Sequence, residues 1–327
     1  MKVLVTGGAG YIGSHAVRLL ERAGHDVWVY DNLSLGHQAA VPKGRLIEGP
    51  LMDRSRLVES LSSKRIEAVM HFAAFASVNE SVTDPAKYYQ NNVVASLNLL
   101  EAMREVDVKK IVFSSTTATY GVPERVPITE EEPQKPINPY GFAKLVIERA
   151  LADYAQAYGF TYAALRYFNA AGASAEGNLG EDHDPETHLI PIILQVALGQ
   201  RQQITIYGDD YPTPDGTCIR DYIHVDDLGA AHVLALAHLK PGEGLQLNLG
   251  TGRGASVREV IEACRRVTGH AIPTVLGPRR AGDPPELVAD SRKAQRVLNW
   301  RPQYMDVESI VRTAWQWHSS HPRGYEE

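Results

Sequence analysis

The sequence predicts an α/β fold, a doubly wound parallel sheet carrying a smaller C-terminal α/β lobe. Three observations predict it. Short apolar β runs alternate with helical stretches through the first half of the chain. A glycine-rich turn follows the first of those runs at once. Past residue 170 the alternation gives way to long polar segments rich in Gly and Pro. Near-continuous apolar runs separated by helices mark parallel strands covered on both faces.

In chain order the β runs are KVLVT (2–6), DVWVY (26–30), AVMHF (68–72), KIVFS (110–114) and YAALRY (162–167). The spacing predicts helices over about 11–23, 54–62, 85–106 and 140–158. Pro139 suits the start of the last one, because a first-turn residue needs no N–H. Its apolar residues are Leu145, Ile147, Leu151 and Ala155, with Glu148, Arg149 and Asp153 polar. GASAEGNLGEDHDPE, YGDDYPTPDGT and GPRRAGDPPE mark the looser second half, and long loops in a compact chain carry function. The expected division is a dinucleotide-binding lobe over 1–169 and a substrate lobe over 170–327. Segments near 219–250, IRDYIHV and LQLNLG, are expected to return to the first lobe.

The chain has 327 residues, 44% of them hydrophobic, ample for a buried core in two lobes. Its net charge is −6, and both signs are interspersed. No basic run suits nucleic acid, and no polybasic amphipathic helix or long apolar run suits a membrane. MKVLVTGGAG enters a strand and a turn directly, unlike a signal peptide. Two distant cysteines, Cys218 and Cys264, fit a reducing compartment better than a disulfide framework. The expectation is a cytoplasmic protein with neither nucleic acid nor membrane as partner.

The chemistry begins at VLVTGGAGYIGSHAVRLL. Gly8-x-Gly10-x-x-Gly13, with Gly7 in a second phase, follows a strand and opens a helix. That pattern gives a sharp turn, close backbone approach to a pyrophosphate and close helix–strand packing, as in a Rossmann dinucleotide site. The helix N-terminus favours the anion. Asp31, eighteen residues past Gly13, ends the next strand; its carboxylate accepts from ribose hydroxyls and repels the extra phosphate of NADP, so NAD is the expected cofactor. Tyr140 and Lys144 share a helix face at i, i+4. A phenol near a nicotinamide can serve as the base for a carbinol proton. Lowering its pKa from about 10 to neutrality takes roughly 4 kcal/mol, within reach of an ammonium and a cationic ring together. Thr116, in VFSSTTATYG at a strand C-terminus, can place a hydroxyl between phenol and substrate.

TGGAGYIGSH, SSTTATYG, NPYGFAK, LRYFNAAGA, DGTCIRDYIHVDDL and PRRAGDPPELVADSRKA together resemble the UDP-glucose 4-epimerase family of extended short-chain dehydrogenase/reductases, over essentially the whole chain. The resemblance implies that Gly7, Gly10, Tyr11, Ile12, Gly13, Asp31, Asn32, Leu51, Phe72, Ala73, Ala74, Asn92, Ser114 and Tyr167 contact NAD together with Tyr140 and Lys144. It implies Tyr140 as base, Lys144 as its partner and Thr116 as the intervening hydroxyl. Phe168, Asn169, His188, Leu189, Thr205, Tyr207, Arg220, Arg280 and Asp283 are implied for the UDP-sugar, with Thr116 and Tyr140 at its reacting end. Two arginines there suit a diphosphate on their own chemistry. Leu287 falls where the family lines the space around the sugar 2-substituent. Tyrosine there goes with UDP-glucose and UDP-galactose alone, and cysteine or serine with N-acetylated sugars as well. Leucine is intermediate, so slower epimerisation of UDP-N-acetylglucosamine is expected. A homodimer paired through helices near 90–105 and 140–158 is implied too. The chain departs from the family at Pro50, where an aspartate is usual, at Ala76, where some members have lysine, and at His188, where asparagine is usual.

Other chemistries fit less well. GEDHDPETH gathers Asp182, His183, Asp184 and His188 but lacks helical ligand spacing, HExxH or paired CxxC, so no metal is expected. No GxSxG elbow is present, and Cys264 reads as packing. A nucleotide-sugar 4,6-dehydratase needs an Asp-Glu pair after the strand-end threonine, where this chain has Thr117 and Ala118. A non-catalytic NAD-binding scaffold would have little reason to keep Thr116, Tyr140 and Lys144 together.

Overall fold

Residues 1–280 and 283–325 are described by the structure, a computed structural model. The strands are β1 (Lys2–Thr6), β2 (Asp26–Asp31), β3 (Leu46–Glu48), β4 (Ala68–His71), β5 (Lys110–Ser114), β6 (Thr161–Arg166), β7 (Asn169–Ala171), β8 (Ile204–Tyr207), β9 (Ile219–His224), β10 (Gly244–Asn248), β11 (Gly254–Ser256), β12 (Thr274–Gly277) and β13 (Glu286–Leu287). The helices are α1 (Tyr11–Arg22), α2 (Arg54–Ser63), α3 (Val78–Thr83), α4 (Pro85–Tyr88), α5 (Ala95–Glu105), α6 (Pro139–Tyr158), α7 (Leu189–Ala197), α8 (Val225–His238), α9 (Val257–Thr268), α10 (Arg292–Leu298) and α11 (Val307–Ser320).

Seven strands make one sheet in the order β10-β6-β5-β4-β1-β2-β3, every neighbouring pair parallel. Alternation along β1 explains why it needs cover on both faces. Val3 and Val5 enter the core shared with α1 and α8, and Leu4 enters the core shared with α2, α5 and α6. The expected helix over 85–106 is not continuous. Asp84 caps the backbone at Lys87 ahead of Pro85, and a π turn over Tyr89–Val94 separates α4 from α5. Helix α3 and strand β3 carry too few periodic residues to announce themselves.

The second half builds a smaller sheet around β9, with β7 and β13 parallel and β11 antiparallel to it, beside the β8–β12 pair. Helices α7, α9 and α11 close its own core. The stretch near 219–250 therefore splits. α8 packs on α1 and β10 extends the large sheet at β6, but β9 stays in the smaller sheet. Asp221 holds it there: its buried carboxylate accepts from the N–H groups of Thr251, Gly252 and Ala289.

Two buried polar links tie the layers. Glu148, expected on the polar side of α6, is instead 5% exposed and accepts from Arg166 of β6 at 2.5–3.2 Å. Arg166 also donates to the Tyr120 hydroxyl at 2.7 Å, which in turn donates to Asn248 of β10. His71 bridges Thr6 and Ser96 at 2.7 and 2.8 Å, and burial pushes its pKa down to about 3.

Arg166→Met leaves the Glu148 carboxylate buried and unpaired, and is expected to cost about 3–5 kcal/mol in chemical denaturation. A loss under 1 kcal/mol contradicts that account. His71 binds a proton near 6.5 when unfolded but only near 3 when folded, so the unfolded chain takes up the proton first as pH falls. Its contribution is therefore complete above pH ~6.5 and declines by about 1.4 kcal/mol per pH unit towards 3. Denaturation of wild type and His71→Gln at pH 7.5 and 4.5 should show the shallower acid loss in the variant.

Candidate active site

The turn between β1 and α1 is shaped for close approach. Gly7 has φ +74, and a Cβ there would meet Ala73 N at 2.4 Å; a Cβ on Gly13 would meet Gly7 O at 2.1 Å. Gly10 differs. Its φ of −80 suits any residue, and a Cβ would meet only Gly7 O at 3.4 Å. The protein itself does not need glycine at that position, whereas a ligand lying against the turn does. Gly10 caps α1 with no side-chain hydrogen bond, and the first turn of α1 has no acidic residue, so the helix end can receive a pyrophosphate. Asp31, at the end of β2, accepts from Ala9 N at 3.0 Å and Leu33 N at 2.9 Å, one on each oxygen. Burial raises its pKa while those N–H groups restrain the rise. Each oxygen keeps accepting capacity for a ribose hydroxyl. The residues present fit a dinucleotide.

The rest of the expected cofactor wall is assembled by backbone contacts. Phe72 and Ala73 both donate through N–H to Thr6 O, at 2.8 and 3.0 Å. Asn92 sits in the π turn and clamps Phe75, accepting from its N–H at 2.9 Å and donating to its carbonyl at 2.8 Å; a π turn often marks a functional site. Ala74 is half-buried in the segment Asn92 clamps, and Leu51 accepts from Asn98 at 2.6 Å. Tyr11 donates to Gly172 O at 2.6 Å, and Ile12 packs against the core beneath α1. Asn32 is exposed and accepts from Ser34 N at 3.1 Å.

At the C-terminal end of β5 the residues expected to be catalytic meet. Lys144 is buried and donates to Ser114 O at 2.8 Å, while the Ser114 hydroxyl pairs with that of Tyr167 at 2.6 Å. Thr116 accepts from Ala118 N at 3.1 Å, which leaves its own proton to donate towards Tyr140. The Tyr140 ring lies edge-on to buried Tyr88, centroids 6.5 Å apart. Burial raises the Tyr140 phenol to about 12, with Thr116 opposing, and lowers Lys144 to about 7, with Glu148 opposing. Packing of the protein alone therefore does not produce the phenolate. In a dry cleft each group prefers its neutral form, and a further positive charge is needed. Gly141 was not singled out in the sequence. A Cβ there would meet Ala118 O at 2.5 Å, so glycine lets the first turn of α6 close on the end of β5.

The expected sugar-nucleotide residues fall into three groups. Phe168 and Asn169 follow Tyr167 into β7, whose Asn169 stands opposite Tyr222 on β9. Arg220 stands opposite Leu287 in the β9–β13 pair, and pairs with Asp283 as well as donating to Pro284 O at 2.9 Å. Tyr207 ends β8, two residues past Thr205, and is exposed with the Arg280 guanidinium 4.3 Å above its ring. Leu189 opens α7 and is partly buried against the smaller core. His188, the uncapped residue before it, faces carboxylates: its Nδ1 lies 2.8 Å from Glu181 and 3.2 Å from Glu186. In GEDHDPETH, read from the sequence as a loop without a metal, the groups that gather differ from those weighed there. Glu181 and Glu186, not Asp182 and Asp184, gather with His183 and His188. Asp184 is exposed and Asp182 accepts from Tyr325 N at 2.9 Å. A cavity of about 720 Å³ along α9 and β11 contains none of the expected site residues.

Residues 3–250 match the model of the NAD dependent epimerase/dehydratase family. The chain is 55% identical to a UDP-glucose 4-epimerase of Halalkalibacterium halodurans over 99% of its length and 98% of the relative's. It superposes on a crystal structure of a UDP-glucose 4-epimerase with TM-score 0.97 and 52% identity, both chains covered in full. It superposes on the NAD complex of the Brucella ovis UDP-glucose 4-epimerase with TM-score 0.93 and 55% identity, over 96% and 97% of the two chains. The chain thus belongs to the NAD dependent epimerase/dehydratase family, in its UDP-glucose 4-epimerase branch.

Proposed function

We propose that the protein interconverts UDP-galactose and UDP-glucose by NAD-dependent epimerisation at C4. The observation that carries this reading is the cluster at the end of β5: the Tyr140 phenol beside the Thr116 hydroxyl, with Lys144 fixed on the Ser114 carbonyl. Gly7, Gly10 and Gly13 hold the NAD pyrophosphate against the start of α1, and Asp31 holds the adenosine ribose. When bound, NAD supplies the hydride acceptor and donor at C4 and a positive ring that lowers the phenol pKa.

The chain's own residues do the rest. Tyr140 takes the 4-hydroxyl proton, directly or through Thr116, and later returns it. Lys144 fixes the register of α6 against β5 and adds charge beside the phenol. Arg220 and Arg280 hold the diphosphate, with Tyr207, Asp283, Leu189 and Thr205 around the nucleotide. Phe168 and Asn169 border the sugar. The 4-keto sugar turns about its bond to phosphate and presents its other face, so no net oxidation occurs. Two chains pair through α5 and α6 in this reading. Tyr89, Val94, Phe142 and Tyr158 leave apolar surface exposed there, with the rings of Tyr89 and Phe142 6.4 Å apart. No helix among the described residues is long and apolar enough to cross a membrane, and the free buried cysteines Cys218 and Cys264 fit a reducing cytoplasm.

Tyr140→Phe tests the base directly. Turnover of UDP-galactose to UDP-glucose should fall by roughly 10²–10⁴-fold while NAD binding and fold are retained. Near-normal turnover removes Tyr140 from that role. Leu287 tests the sugar pocket. Wild type should turn over UDP-N-acetylglucosamine measurably but more slowly than UDP-galactose, since leucine lacks the ring of tyrosine yet outsizes serine. Leu287→Tyr should abolish the N-acetyl activity and spare UDP-galactose; equal damage to both reactions means Leu287 is not the gate.

A further inference from the structure

Glu181, His183, Glu186 and His188 each turn one ligand atom inward, and these atoms lie within 4.8 Å of one another. His188 Nδ1 lies 2.8 Å from Glu181 Oε1 and 3.2 Å from Glu186 Oε1. His183 Nδ1 lies 3.4 Å from Glu181 Oε1 and 3.7 Å from Glu186 Oε2. A tetrahedral zinc site with bonds of 2.0–2.1 Å has ligand–ligand edges of roughly 3.3 Å. The four nitrogen–oxygen separations, which involve both oxygens of Glu186, fall on either side of that value.

The rival arrangement is a pair of ion pairs between protonated imidazoles and the two carboxylates. It requires each inward Nδ1 to donate a hydrogen bond. His183 Nδ1 and Glu181 Oε1 are both buried, and neither makes one. Glu181 is 3% exposed, and its Oε1 lies close to both imidazole nitrogens without a well-directed hydrogen bond to either. The ligand atoms of all four residues instead lie within one short radius, as those of a cation site do.

We propose that this cluster is a structural site for one zinc-class divalent transition ion. Two carboxylates, two neutral imidazoles and a dication sum to zero charge, which suits burial. Two imidazole nitrogens select Zn²⁺ or Co²⁺ over Mg²⁺ and Ca²⁺, which prefer oxygen ligands throughout. Four protein ligands close the coordination shell, so the ion holds the chain and does not bind substrate. The carboxylate of Glu186 is already oriented, because its Oε1 accepts from the N–H groups of Thr187 and His188 at 2.7 Å each. The ion fastens residues 181–188 ahead of α7. His183 also meets the Tyr11 ring edge-on at 6.3 Å, so the same segment abuts the glycine turn of the large sheet. His188 is thereby taken from the residues expected at the UDP-sugar and given to the ion, while the Tyr140 cluster is untouched by it.

The full-length protein, dialysed against a chelator and then buffer, is titrated with Zn²⁺ by calorimetry and with Co²⁺ by visible absorption. One equivalent of Zn²⁺ should bind. Co²⁺ should give the d–d bands of a tetrahedral complex and lose them when Zn²⁺ is added. Thermal unfolding should shift upward by several degrees with Zn²⁺ and not with Mg²⁺. Glu181→Gln and His183→Ala, checked for fold by circular dichroism, should each weaken Zn²⁺ binding at least tenfold and lose the shift. No stoichiometric binding to wild type overturns the site, as does affinity that neither substitution moves or equal binding of Mg²⁺. If a variant fails to fold, the wild-type stoichiometry and the Co²⁺ spectrum decide the case.

Discussion

The buried ion pair between Glu148 and Arg166 is the constraint on which the active site depends. α6 presents Tyr140, Lys144 and Glu148 on one face at intervals of four residues. Pinning the third of these to β6 therefore fixes the rotation and height of the other two. Arg166 is tied onward through Tyr120 and Asn248 to the outermost strand, and Ser115 of the catalytic strand end donates to Glu148 as well. A pair this buried contributes little net stability compared with apolar packing. Its value is geometric: it gives α6 one register against β5 and β6. Gly141 then allows the first helical turn to approach the Ala118 carbonyl closely enough for the phenol to meet Thr116.

The same burial that makes the geometry rigid sets the electrostatics. With Tyr140 raised to about 12 and Lys144 lowered to about 7, the phenol keeps its proton near neutral pH and the amine is only partly charged. In the proposed reading, a cationic ligand beside these two groups lowers the phenol pKa and completes the proton relay. His71, lowered to about 3 by burial and by the nearby Lys144, stays neutral and behaves as a fixed hydrogen-bond bridge between β1 and α5.

The smaller lobe is organised by carboxylates in a comparable way. Asp221 gathers three backbone N–H groups from two loops onto β9, and Asp227 accepts from those of Gln303 and Tyr304. Arg220 and Asp283 hold each other beside Leu287, so the pocket's cation is already paired and oriented. Such networks give irregular loops a unique conformation that apolar contacts alone would leave degenerate. The cluster of Glu181, Glu186, His183 and His188 extends that theme to the segment before α7.

The sequence by itself determined the parallel sheet, the glycine turn, the acidic end of β2 and the Tyr140–Lys144 spacing, because each is encoded locally, in a period of two or four residues or in a turn that only glycine fits. Five of the large sheet's strands were legible as apolar runs. β3 was too short, and β9 resembled a returning strand because its partners are chosen by a buried aspartate far along the chain. The π turn, the burial of Glu148 and the need for Gly141 were illegible for the same reason: each depends on what a distant segment places opposite. The tertiary structure alone decided that Tyr140 and Lys144 are both shifted towards their neutral forms, since desolvation follows from packing and not from neighbours in sequence. It also decided which acidic residues of GEDHDPETH turn inward. The sequence offered Asp182 and Asp184 beside the histidines with no ligand spacing, but the loop's path puts Glu181 and Glu186 against the two histidines, and a side chain's direction in an irregular loop has no period from which it can be read.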